Sequence, residues 1–199
     1  MGPEAFKRDP LLRSSGYDLA SWALVNAAFS IPAYYHCAGR HWRGDLLGLY
    51  SLTLIACGIG AALFNRRRVE KMLGGIADEA VFRAEFMWAP MLVTAFTVTA
   101  LLVASAREQF IQPLWMLTVG TAYLAWGLKA GVATFRPFGA LLVAAALVAA
   151  SLQQPQAGAP PSAVGLHMWN LLMGVGALVT SVATNRRYLW CDAGASTRQ

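Results

Sequence analysis

The residues in this chain with the most to offer chemically are three histidines and a cysteine: His36, Cys37, His41 and His167. Imidazole nitrogens and a thiolate bind zinc or copper, and two histidines on facing helices can hold a haem. Their spacing matches no recognised ligand pattern. They stand beside Tyr34, Tyr35, Trp42 and Trp169, which favours a plain role as polar residues among interfacial aromatics. No cofactor is predicted, and a haem or metal protein using these four residues is kept as an alternative. No catalytic residue is assigned, because no nucleophile elbow, zinc-protease, P-loop or dinucleotide motif occurs in the sequence.

Two further sets of side chains invite a role. Asn26, Tyr123 and Asn170 are polar residues inside otherwise apolar blocks. They either line a path for a neutral solute or hydrogen-bond between helices. Arg66, Arg67 and Arg68 form one basic cluster and Arg186 and Arg187 another, and each follows an asparagine, Asn65 or Asn185. Such clusters suit anionic lipid head groups or an acidic partner. The two Asn-Arg-Arg runs also hint at an internal repeat. Gly39-Arg40-His41-Trp42 precedes the first of the two blocks, and Gly165-Leu166-His167-Met168-Trp169 opens the second.

The elements that must position these residues are apolar blocks. Of the 199 residues, 57% are hydrophobic and 13% charged, where a soluble domain carries about 25% charged residues. A helix needs about 20 apolar residues to cross the hydrocarbon of a bilayer. Six blocks approach that length: 18–37, 46–64, 86–106, 111–128, 137–152 and 166–184. The sequence therefore predicts an all-α membrane protein, a bundle of about six transmembrane helices. Residues 65–85 predict a short interfacial helix between the second and third spans, broken at Gly74-Gly75. Pro90 and Pro113 fall near predicted helix starts, where proline is tolerated. Pairs such as Ala56/Gly60, Gly58/Ala62 and Gly176/Thr180, with the alanines of the fifth block, permit close helix packing.

Charge sets the expected orientation. The net charge is +6, and of 16 Lys and Arg all but Arg40, Arg43 and Arg107 fall on one side of the six-span arrangement. By the positive-inside rule both termini then lie on the cytoplasmic or matrix side. The domain reading is a polar N-terminus (1–17), a membrane domain (18–184) and a tail (185–199). The expected location is a bacterial or mitochondrial inner membrane, with no cleavable signal peptide.

None of the predicted spans carries an ionisable side chain near its middle, which argues against a proton-driven carrier. The function expected is that of a non-catalytic structural or accessory subunit of a larger membrane complex. Its expected partners are other membrane subunits and anionic lipids, not nucleic acid. A small carrier or channel for a neutral or amphipathic solute is the first alternative.

Overall fold

The computed structural model describes residues 16–28, 53, 56–61, 63–65, 67, 78–129, 131–154, 158 and 163–187, with side chains of 78–89, 163 and 166 set aside. All regular structure among them is helical. Helix α1 covers 16–28, and α2 includes the helical residues between 53 and 67. Helix α3 is Asp78–Ala104, followed by a 3-10 turn, Glu108–Phe110. Helices α4 (Ile111–Lys129) and α5 (Phe135–Ser151) form a hairpin. The last rod is α6 (Ala163–Asn170), a π-helical turn (Leu171–Gly176) and α7 (Ala177–Asn185).

Among the described residues, no helix is both long enough and apolar enough to cross a membrane. This overturns the six-span bundle, its N-in/C-in orientation and its multi-pass placement in an inner membrane. The reason lies in how the apolar blocks are cut into elements. Helix α4 has 19 residues, but Gln112, Thr118, Thr121 and Lys129 dilute it. Helix α5 has 17 residues, short of the roughly 20 needed. The sixth block is divided into segments of 8, 6 and 9 residues by its π turn. Helix α3 is 27 residues long, but the part of it with described side chains, 90–104, has only 15 residues.

Helix α3 also corrects two local expectations. Residues 78–85 belong to α3 itself, not to a separate interfacial helix, and Gly74-Gly75 lies outside the described residues. Pro90 consequently sits inside the helix and not at its start. It removes one intrahelical N–H donor there. The helix ends in a Schellman arrangement: Arg107 N–H donates to Leu102 O at 2.8 Å and Ala106 N–H to Val103 O at 3.1 Å. Ala106 takes a φ of 52°, the left-handed position where glycine is usual.

The hairpin α4–α5 is the centre of the fold. Buried residues on α4 recur at helical spacing: Met116, Val119, Gly120, Tyr123 and Gly127. Those on α5 are Phe138, Gly139, Leu142, Ala145, Ala146 and Ala149. Glycine sets how near the two backbones come. A Cβ on Gly120 would stand 2.8 Å from Leu142 Cβ and 2.9 Å from Gly139 O. One on Gly139 would run into Leu124 N and Gly120 O. Over this crossing Tyr123 packs edge-on against Phe135 and Phe138, each with ring centroids 5.2 Å away. Helix α3 joins through Trp115, which donates to Thr99 Oγ1 at 3.1 Å and meets Phe96 edge-on at 5.0 Å.

Candidate functional site

Helix α1 runs antiparallel to the last rod, and side-chain hydrogen bonds fix both ends of the pair. At one end Ser181 Oγ donates to Gly16 O at 2.5 Å. At the other Trp169 Nε1 donates to Asn26 Oδ1 at 3.0 Å, while Asn26 Nδ2 donates to Trp22 O at 2.8 Å. Helix α2 is also antiparallel to α1. Asn65 Nδ2 lies 3.2 Å from Asp18 Oδ1 and 3.1 Å from Ser21 Oγ, and Gly58 packs against the Trp22 ring.

The result is a polar cluster around the start of α1. Asn65 and Asn185, the first residues of the two Asn-Arg-Arg runs, both pack there. A Cβ on Gly16 would overlap Asn185 Oδ1, so a larger residue there would force the Asn185 side chain to shift. Asn185 Oδ1 is buried without a hydrogen-bond partner. Thr184 Oγ1 donates to Thr180 O at 2.7 Å, which leaves it to accept from Thr134 Oγ1, also at 2.7 Å. That bond brings the α4–α5 turn to the same end. Arg136 Nε then caps α4 by donating to Gly127 O at 3.0 Å.

Five cations rim this end: Arg67 on α2, Lys129 and Arg136 at the α4–α5 turn, and Arg186 and Arg187 after α7. All five are exposed. Asp18 lies half-buried within the cluster. Burial pushes the Tyr123 hydroxyl well above the ordinary tyrosine value, and the Asp18 carboxylate pushes it further in the same direction. Tyr123 is therefore a neutral phenol at any physiological pH.

The predicted site residues separate on this frame. Arg67, Arg186 and Arg187 come together at the polar end. Arg66 and Arg68 lie outside the described residues, as do His36, Cys37 and His41. His167 is exposed near the opposite end, two residues before the Trp169 that bonds Asn26. Among the described residues, no group of three or more His, Cys, Asp or Glu is placed to hold a metal. Asn26 is engaged by both Trp22 and Trp169, and Tyr123 stands in the aromatic core. Asn170 is half-buried, its Oδ1 enclosed without a hydrogen-bond partner at the start of the π turn. An apolar groove of about 280 Å³ lies elsewhere, between α3, α4 and α5, lined by residues such as Leu102, Leu114 and Leu147.

Sequence reasoning missed Thr134, Ser181 and Thr184, which tie the end of the last rod to α1 and the α4–α5 turn. The signal for two of them was the repeated four-residue spacing Thr180, Thr184 on the face that also carries Ser181. No family model, curated protein or solved structure matches this chain.

Proposed function

We propose that this chain is a non-catalytic structural subunit of a larger protein assembly. One observation carries the reading: the outward helix faces are as apolar as the inward ones. Leu171, Val175, Leu178, Val179 and Val182 follow one another at helical spacing along the last rod, and all are exposed. On α5 the exposed row is Leu141, Ala144, Leu147 and Val148, with Leu147 64% exposed. On α3 it includes Val93, Phe96, Leu101 and Val103.

Scattered apolar residues are normal on any surface, but contiguous rows of this length mark an interaction face. The inward faces of α4 and α5 already use their small residues against each other. The large aliphatic side chains are left pointing outward, where a partner helix would fill the space between them. The polar side chains of the described rods support the same reading, since Asn26, Thr134, Ser181 and Thr184 serve packing between helices.

The test is site-specific photo-crosslinking in the native cells, with the reactive group at Val175 or Leu147 and at buried Ala177 as control. The expected result is a discrete adduct of fixed mass to another polypeptide from the two exposed positions only, abolished by Val179→Asp. Equal labelling from Ala177, or no adduct from any position, contradicts the proposal.

A further inference from the structure

The polar end of the molecule pairs cations with large exposed apolar side chains. Arg67 follows Leu63 and Phe64, which are 51% and 66% exposed. Lys129 follows Leu128, 60% exposed, and Arg186 stands one turn beyond Val182, 46% exposed. Three separate elements, α2, α4 and α7, thus present the same pairing at the same end. Hydrogen bonds hold them there: Asn65 on Asp18 and Ser21, Thr134 on Thr184, and Ser181 on Gly16. Among the residues with described side chains, the acid at this end is Asp18, which accepts a hydrogen bond from Asn65.

An acidic protein surface would be met by the cations alone, and beside Arg67, Lys129 and Arg186 a Phe, Leu or Val would stay in contact with water. A layer of anionic lipid head groups answers both halves of the pattern. Long basic side chains reach phosphate while neighbouring apolar side chains enter the boundary of the acyl layer. We infer that the end of the molecule carrying Arg67, Lys129, Arg136, Arg186 and Arg187 docks on an anionic lipid surface, with Phe64, Leu128 and Val182 as its apolar contacts. The charge complementarity and the repeated cation–apolar pairing carry this inference. It does not depend on the subunit role proposed above.

The experiment is co-sedimentation of the full chain with vesicles of phosphatidylcholine alone and of phosphatidylcholine mixed with phosphatidylglycerol. Each cation near such a surface is worth about a fivefold change in binding. The double variant Arg186→Gln/Arg187→Gln is therefore expected to bind mixed vesicles roughly 25-fold more weakly. Arg186→Lys/Arg187→Lys is expected to bind as the parent does, and circular dichroism is expected to be the same for all three. Raised salt should weaken parent binding to mixed vesicles far more than binding to phosphatidylcholine. Equal binding to the two kinds of vesicle would overturn the inference. So would loss of binding in the lysine variant, or displacement of the chain from mixed vesicles by polyglutamate or inorganic phosphate at matched ionic strength.

Discussion

Two seams in this molecule hold helices together by different means. The α4–α5 seam has almost no polar side chain in it. Its backbones approach because Gly120, Gly127 and Gly139 carry no Cβ at the points of contact, and dispersion between closely packed atoms does the rest. The seam between α1 and the last rod is fastened by hydrogen bonds at its two ends: Ser181 to Gly16, and Trp169 to Asn26. A glycine seam tolerates no added volume. A hydrogen-bonded seam tolerates volume better but cannot lose a partner without leaving a polar group stranded.

The comparison breaks most sharply at Gly139. Gly139→Ala places a methyl group against Leu124 N and Gly120 O, both backbone atoms that cannot turn aside. A loss of about 3 kcal/mol or more is expected, the upper range for overpacking, read from the midpoint of chemical unfolding. Gly60, which has nothing near its added Cβ, is the control, and Gly60→Ala should not destabilise the protein.

The second seam yields next. Asn26→Ala strands the Trp169 indole N–H, and a loss of about 1–3 kcal/mol is expected by the same measurement. The double variant Asn26→Ala/Trp169→Phe removes donor and acceptor together and should cost less than the sum of its single changes. Additive losses would show that the bond does not couple the two helices.

A smaller effect of opposite sign tests the end of α3. Ala106 holds a left-handed backbone that costs an L-residue about 1–2 kcal/mol. Ala106→Gly should therefore raise stability by about 1 kcal/mol, in contrast to the loss at Gly139.

The smallest effect near neutral pH belongs to Tyr123, and it grows in alkali. Its hydroxyl holds its proton more tightly folded than unfolded, where the ordinary value of 10.0 applies. The folded state therefore binds more protons above about pH 10, and stability falls as pH rises past that point. Unfolding midpoints of the parent and of Tyr123→Phe should diverge in slope above pH 10 and run parallel below it. Parallel slopes throughout would mean that Tyr123 is not held in a buried neutral form.

Much of the helical order was legible, because apolar periodicity and turn residues mark it. Helix α4 begins at Ile111, where the fourth apolar block begins, and α5 sits within two residues of the fifth block at each end. The membrane-spanning reading failed because hydropathy was summed over stretches of sequence. The stretch Leu166–Thr184 reads as one α-helix, yet its middle, Leu171–Gly176, is π-helical. The stretch 65–85 reads as a separate element, yet its described part from Asp78 onward belongs to α3.

The site was legible in pieces. The repeated Asn-Arg-Arg runs drew attention to both clusters, but only the fold brings Asn65 and Asn185 to the same turn of α1. Gly16 and Thr134 gave no signal, since their importance arises from contacts across more than a hundred residues in one case and fifty in the other. Of the small residues singled out in the second and sixth blocks, Gly58 does pack tightly against the Trp22 ring, while the closest approach of backbone to backbone falls at Gly120 and Gly139, which were not singled out.

The central claim is that the exposed apolar rows on α5 and the last rod are covered by another polypeptide. Native mass measurement of the chain, purified from its own cells in mild detergent, tests it most directly. The expected result is a particle heavier than the chain, containing a different polypeptide in fixed ratio, which falls apart in Val175→Asp/Val179→Asp while the chain keeps its helical content. A particle with the mass of one chain, or of copies of this chain alone, would contradict it.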